Sequence, residues 1–410
     1  MSEFAKRPKW QSGAFTVPKV FEVLEKLNKT NIMNYSEYGN TGNMVSTVGF
    51  GGMRFDTKKR TDAENAEILL HAYEKGINYF DTAPGYCEDK SETIFGLAFE
   101  QIAKERDKFF VSTKVMPRDI NGAEEGIASV RKSLERLKID YIDFFHVWCI
   151  RTWEQYEMAM KKGGLYDGLL KCKEEGLIKH ICVSTHLPGN KVSKIISDGS
   201  FDGVLMGVNI LNFRFRWEGA VAAQKAGLGV VAMNPLGGGL VPGYQKQLAF
   251  ITEGNETPVD AAIRFLVSAP QINVALVGFT TKEQIDIACK VTENAKPFSE
   301  EDIEKIKQKM SENMDVLCTG CGYCESSCPE KILIPRFMQV YNEKLFCNKS
   351  EQDMVNLLNE NRKWGILEGT KAEPVDCIKC GKCEEVCTQH LNIIERLEEM
   401  AEWDILIGNR

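Results

Sequence analysis

The chain is 410 residues long, 43% hydrophobic and 27% charged, the balance of a globular protein with room for one large domain and one small one. Its formal net charge is −7, and nearly all of that excess falls in residues 314–410, a distribution that argues against nucleic acid and suits either solubility or a basic face on a redox partner. No apolar run approaches a membrane span and residues 1–9 are polar, so a cytoplasmic protein is expected, in which the 14 cysteines are not a disulfide scaffold.

Residues 1–32 read as an N-terminal extension. Within it, 18–29 has helical periodicity, with Val20, Phe21, Val23, Leu24 and Leu27 on one side. From residue 33 to 297, short apolar runs alternate with amphipathic stretches. The spacing predicts strands over 47–51, 79–81, 109–114, 142–148, 180–184, 203–208, 229–233 and 274–277. It predicts helices between them over 62–75, 91–103, 123–137, 166–175, 191–198, 218–226 and 258–267, and a last one over 281–291. Eight β/α units in about 250 residues imply a (β/α)8 TIM barrel. An open doubly wound sheet is the alternative, but it would need a glycine fingerprint after its first strand, which this chain lacks. Residues 298–314 are expected to form a linking helix. Residues 315–410 make a small domain, with helical character over 334–364.

That last segment holds two runs of one spacing, C-x2-C-x2-C-x3-C. The first is Cys318, Cys321, Cys324 and Cys328, followed by Pro329; the second is Cys377, Cys380, Cys383 and Cys387. Three close thiolates grip three irons of a cubane, and the fourth cysteine of such a run ligates the other cluster. Two [4Fe–4S] clusters are therefore expected, one on Cys318, Cys321, Cys324 and Cys387, the other on Cys377, Cys380, Cys383 and Cys328. Zinc is the bland alternative, but it takes four ligands, commonly as two separated pairs, and does not need this packing twice.

In a TIM barrel, side chains at the C-terminal ends of strands face the site. Those ends carry Asp81, Lys114, the pair His146 and Trp148, Ser184, Asn209, Asn234 and Gly278, with Tyr86 just past Asp81. A phenol beside an ammonium that is held by a carboxylate can pass a proton to a carbonyl oxygen. The rim adds Arg54, Arg151, Trp153, Tyr156 and the run Phe213-Arg214-Phe215-Arg216-Trp217, which suit a planar, anionic substrate.

Phe80-Asp81-Thr82-Ala83, Tyr86, Ser91-Glu92 and Ser112-Thr113-Lys114-Val115 resemble the aldo-keto reductase family. Val48-Gly49-Phe50-Gly51-Gly52-Met53-Arg54 and Met233-Asn234-Pro235-Leu236-Gly237-Gly238-Gly239 fit the same family, and the cysteine runs resemble its branch with a ferredoxin-like domain. The resemblance implies an NAD(P)H-dependent carbonyl reductase with an Asp–Tyr–Lys–His tetrad, to which Asp81, Tyr86 and Lys114 correspond. Trp148 stands where the family has its histidine, with His146 two residues earlier and, along a strand, about 7 Å deeper on the same face. The resemblance further implies nicotinamide contacts at Ser184, Asn209 and Asn234, and phosphate contacts at Gly278, Thr281 and Lys282. The family's later Glu-Asn pair is Ile287-Ala288 here. Candidate substrate residues are Trp148, Arg54, Arg151 and Arg214. Three readings follow: an NAD(P)H reductase whose clusters are structural or in electron transfer; a reductase of a planar substrate fed single electrons by a ferredoxin or other redox partner; and a non-catalytic electron carrier or redox sensor.

Overall fold

The computed structural model describes residues 33–293, 295–314, 317, 318, 320, 322–347, 349–363, 367, 372–387 and 390–406. The extension expected over 1–32 and the candidate ligand Cys321 lie outside the described residues.

A short antiparallel hairpin comes first, β1 (Tyr35–Glu37) and β2 (Met44–Ser46). Then follow β3 (Val48–Gly51), β4 (Tyr79–Asp81), β5 (Phe110–Val115), β6 (Ile142–Ile150), β7 (Ile178–Thr185), β8 (Gly203–Gly207), β9 (Gly229–Met233) and β10 (Val274–Gly278). These eight are parallel and close into a barrel, with β10 pairing back onto β3. Both faces of each strand are covered, so the strands are near-continuous apolar runs rather than alternating ones. The outer ring comprises α1 (Asp62–Glu74), α2 (Ser91–Gln101), α3 (Ala123–Leu137), α4 (Trp153–Met160), α5 (Leu165–Glu174), α6 (Gly189–Ser197), α7 (Phe213–Lys225), α8 (Pro258–Ser268) and α9 (Lys282–Glu293). Local sequence sets several of their starts. Thr61 with Glu64, Thr152 with Gln155, and Thr257 with Asp260 each form a capping box, and Pro258 occupies the first turn of α8.

The hairpin plugs the N-terminal end of the barrel, a role its sequence did not announce. Tyr38 is fully buried and packs 4.2 Å, centroid to centroid, from Phe144, within a cluster that includes Tyr79, Leu205 and Val231. Gly203 and Gly229 make room for it: a Cβ on Gly203 would stand 2.2 Å from the Tyr38 hydroxyl, and one on Gly229 2.1 Å from its ring.

The helix expected as a linker over 298–314 is α10 (Glu300–Asn313). Its buried Ile303 and Met310 pack into the barrel's own core, together with Met314. The small region after it contains α11 (Tyr323–Ser327), α12 (Ile334–Cys347), α13 (Glu351–Lys363), α14 (Lys382–Glu385) and α15 (Ile393–Leu406). It has its own core of Phe337, Met338, Met354, Leu358, Leu397 and Trp403, with Cys324, Cys383 and Cys387 buried among them. The helical stretch read over 334–364 is two helices, α12 and α13. This region sits against the barrel's C-terminal mouth. Arg336 Nη2 donates to the Arg151 carbonyl at 3.2 Å, Tyr244 packs on Phe346 at 5.6 Å, and Lys191 reaches Glu325 at 4.0 Å.

Candidate active site and cluster sites

Two neighbouring strands and a loop bring the first group together. Asp81 ends β4, Lys114 lies one strand over on β5, and Tyr86 returns in the loop after β4. Lys114 Nζ donates to Asp81 Oδ1 at 2.5 Å, and Ser112 Oγ donates to Asp81 Oδ2 at 2.6 Å. Lys114 also hydrogen-bonds the Tyr86 phenol, and its Nζ lies 5.3 Å from that ring's centroid. Asp81 and Lys114 are both buried. Burial disfavours the ammonium, yet Asp81 and Tyr86 together hold its pKa above the ordinary lysine value. For Tyr86, burial wins over the pull of Lys114, so the phenol's pKa is raised. The lysine does pull it down, but against a larger desolvation effect.

The end of β6 is irregular. Val147 pairs with Val183, but the next registered pair is Ile150 with Thr185, so one residue is extra. The bulge is taken up at Cys149, whose φ is +63°. Bulges re-aim side chains beside sites, and here Trp148 and Cys149 both face the cavity at the mouth. The Trp148 ring stands edge-on to Tyr86, with centroids 5.5 Å apart. His146 pairs in register with Lys114 and is fully buried. It does not line the cavity, and neither ring nitrogen makes a well-formed hydrogen bond. Burial, then repulsion from Lys114, lowers its pKa to about 3, so it is neutral. As a candidate catalytic residue it is placed behind Lys114 rather than at the surface where a substrate would lie.

The cavity encloses about 1690 Å³. It runs from Asp81, Tyr86, Lys114 and Trp148 past Arg54 and Arg151 to Asn234, Gly238, Gly239, Gly278, Thr280, Gln284 and Lys290. Five other candidates fall outside its walls. The Ser184 hydroxyl is buried and without a partner. The Asn209 side chain is spent on the fold: its Nδ2 donates to the Asn234 carbonyl at 2.9 Å and its Oδ1 accepts from Leu211 N at 2.9 Å. Thr281 precedes and Lys282 starts α9, and neither lines the cavity, while Thr280 N–H is taken by Gln284 Oε1 at 2.8 Å. Arg214 donates to Ser311 on α10 at 2.5 Å. Conversely, Cys149, Arg118 and His186 line the cavity and were not singled out as site residues. His186 lies two residues past Ser184, and continuing that strand's periodicity would have found it.

The cavity can be tested for a dinucleotide. It is large enough for one with a substrate beside it. Its Gly238–Gly239 wall has φ values of +71° and +109°, and a Cβ on Gly239 would meet nothing within 4 Å. That leaves open backbone of the kind a pyrophosphate approaches. The residues present fit.

In the small region, Cys328, Cys377, Cys380 and Cys383 surround one small cavity, walled by Ile332, Ile334, Ile394 and Leu397. The fourth thiol comes from the other run, as the crossover spacing requires. None of the described cysteines is in a disulfide. Burial, and then the neighbouring Cys328 and Cys380, raise the Cys377 pKa; burial pushes Cys383 up to about 11. Among the described residues, no three His, Cys, Asp or Glu side chains close to single-ion spacing. Four soft donors around an apolar cavity fit an iron–sulfur cubane. For the other set, Cys324 and Cys387 are buried and Cys318 packs against them. Gly320 N–H points at Cys318 Sγ (3.3 Å) and Leu391 N–H at Cys387 Sγ (3.5 Å). Asn342 on α12 clamps the Cys318 backbone from both sides, at 2.8 and 2.7 Å.

A closed parallel barrel whose mouth carries a buried carboxylate–ammonium–phenol line, joined to a cysteine-rich helical module, defines a barrel oxidoreductase class with an iron–sulfur appendage. The family model for the Aldo/keto reductase family matches residues 47–311, and that for a 4Fe-4S dicluster domain matches residues 314–391. The chain belongs to the aldo/keto reductase family. It is similar to probable aldo-keto reductase 1 of Glycine max, 26% identical, covering 48% of this chain and 58% of that protein. L-galactose dehydrogenase of Arabidopsis thaliana is also 26% identical, covering 59% of this chain and 82% of its own length. Aldo-keto reductase AKR11C1 from Bacillus halodurans, in its holo form, superposes with a TM-score of 0.58 at 21% identity, over 68% of this chain and 96% of its own, and so shares the fold. Among the described residues, no helix is long and apolar enough to cross a membrane.

Proposed function

We propose that this chain reduces the carbonyl of a small-molecule substrate, with Tyr86 as proton donor. The observation that carries the reading is the Asp81–Lys114–Tyr86 hydrogen-bonded line at the cavity floor. Burial keeps the Tyr86 phenol protonated at neutral pH, so the acid form is ready. The Lys114 ammonium, held charged by Asp81, stabilises the phenolate as the proton leaves. Trp148 gives the substrate a flat apolar wall. Asn234, Gly238, Gly239, Gly278, Thr280 and Gln284 would hold NAD(P)H, which when bound supplies the hydride that matches the phenol's proton. Cys318, Cys321, Cys324 and Cys387 would hold one [4Fe–4S] cluster, and Cys377, Cys380, Cys383 and Cys328 the other; such clusters supply one-electron chemistry.

A second reading, in which a ferredoxin-type partner feeds the clusters, is favoured by the Arg336–Arg151 contact, which seats the cluster-bearing region on the rim of the same cavity. Anaerobic titration separates the two. NADPH alone should support turnover of an aromatic aldehyde, with cluster absorbance unchanged; turnover only with reduced ferredoxin, and bleaching in step, would select the second reading. If neither donor supports turnover, the reductase reading fails.

A further inference from the structure

The two cysteine sets sit differently in the small region. Among the described members of the first, Cys324 and Cys387 are buried and Cys318 is half-buried. Their flanks turn toward the barrel: Leu317 packs on the barrel core, and Glu325 reaches Lys191 of α6 at 4.0 Å. The second set turns outward. Cys380 is exposed. Ile378, between Cys377 and Cys380, lines the cavity those thiols surround and is also 59% exposed, so it is wall and surface at once.

Eight large apolar side chains are exposed among the described residues. Three of them, Val375, Ile378 and Val386, fall on the one segment that carries Cys377, Cys380 and Cys383. The other five are spread over residues 53–345, and two of those, Met53 and Ile287, line the barrel cavity. Exposed apolar groups gathered in one place mark a contact surface. The charges of the segment are mixed: Asp376, Glu385 and Lys382 are exposed, and Lys379 is paired with Glu398. The wider field is not mixed. Residues 314–410 hold 17 acidic and 11 basic side chains, so −6 of the chain's −7 lies here. A second copy of the chain would bring the same sign of charge, and three side chains offer far less area than a stable dimer buries. Weak redox encounters use surfaces of this smaller kind.

We propose that the face formed by Val375, Ile378, Cys380 and Val386 is the docking site of a one-electron carrier protein with a basic rim, and that electrons cross there into the cluster on Cys328, Cys377, Cys380 and Cys383. This rests on the reading above that those thiols hold a [4Fe–4S] cluster. One electron leaves the carrier's redox group and the cubane takes it up; no bond breaks and no proton moves. The apolar side chains exclude water at the crossing, and the acidic module draws the carrier in.

The test uses the full-length, cluster-loaded protein, with iron and sulfide counted first. The probe is ferricytochrome c, a one-electron carrier with a lysine-rimmed haem edge. In the oxidised protein, where no electron moves, adding the probe should slow hydrogen exchange over 375–386 and leave β3 to β10 unchanged. Once its clusters are reduced, the protein should pass electrons to the probe with a second-order rate constant that falls about 10-fold between about 20 and 200 mM salt. Ile378→Lys should slow that step by about 10-fold, and Glu385→Lys several-fold, because each sets a cation against the basic rim. Leu345→Lys, a change of the same kind on α12, should leave it unchanged. If Ile378→Lys loses iron, Val375→Lys takes its place. No protection over 375–386, a rate indifferent to salt, or a loss in Leu345→Lys equal to that in Ile378→Lys would overturn the docking site. A protein that holds no iron after reconstitution sinks the cluster reading and the docking site together. Full clusters with no exchange that depends on Ile378 or Val375 sink the docking site alone. Exchange that does depend on them, with no carbonyl turnover from any donor, keeps the docking site and removes the reductase reading.

Discussion

At the barrel mouth the buried Lys114 and Asp81 meet as complements: Lys114 lies on Asp81, and Asp81 takes a second hydrogen bond from Ser112. Around Cys328, Cys377, Cys380 and Cys383, groups of one kind face one another across an apolar cavity, and none of them can satisfy another. The first site is complete as folded. The second is complementary to something the polypeptide does not contain. The contrast teaches that the two regions draw their order from different sources: the barrel from packing and internal pairing, the small region from packing plus metal–thiolate bonds.

The largest expected effect follows from that contrast. Removing iron by chelation, or replacing Cys328 or Cys387, should strip hydrogen-exchange protection from α12 to α15 while β3 to β10 keep theirs. Because the fourth ligands cross over, either single replacement should disturb both clusters in the absorbance spectrum. Protection that survives in α12 to α15 would show that the apolar core of Phe337, Leu358 and Trp403 suffices alone, and the contrast would collapse.

Next is Tyr86→Phe. It should lower kcat by roughly 10²- to 10⁴-fold, the span of a lost general acid, with cluster absorbance and thermal unfolding unchanged. Near-native turnover would show that the mouth's hydrogen-bonded line is scaffolding only.

Lys114→Met tests self-sufficiency at the mouth directly. It strands the Asp81 carboxylate, and breaking a buried pair from one side costs about 3–5 kcal/mol. Denaturant midpoints should show this loss and should recover in the double variant Asp81→Leu/Lys114→Met. A single variant as stable as the parent would mean that water reaches Asp81.

The smallest effect concerns His146. Its pKa is lowered in the folded protein to about 3, from 6.5. The unfolded chain therefore binds a proton that the folded one refuses between those values. The neutral-histidine contribution is complete above about pH 6.5 and is lost as pH falls, on the order of 1.4 kcal/mol per unit. His146→Phe should flatten that part of the urea-midpoint profile between pH 7 and pH 5. An unchanged slope would place the acid sensitivity elsewhere.

The barrel was legible in the sequence because buried parallel strands leave unbroken apolar runs: 79–81 and 229–233 are strands to the residue, and 123–137 is a helix to the residue. The cysteine runs were legible because ligand spacing is covalent information. The hairpin around Tyr38 was not, since three-residue strands carry too little periodicity and the plug is defined only by the glycines opposite it. At the site, Asp81, Tyr86 and Lys114 follow from strand ends. Ser184, Asn209, Thr281, Lys282 and Arg214 do not line the cavity, and position in the chain does not say where a side chain is directed or, as for Asn209 and Arg214, that the fold already engages it. The β6 bulge was invisible for a related reason: one extra residue changes register without changing the apolar pattern.

Among the described residues, the plug also closes the far end of the barrel. With Tyr38 seated between Gly203 and Gly229, nothing can leave through the far end of the barrel. Whatever enters past Arg151 must depart the same way, beside a rim that the cluster-bearing region grips through Arg336. Departure and arrival then compete for one passage. In such a cul-de-sac the first catalytic cycle should outpace those that follow, and a rapid-mixing trace should show a burst with an amplitude of about one product per chain.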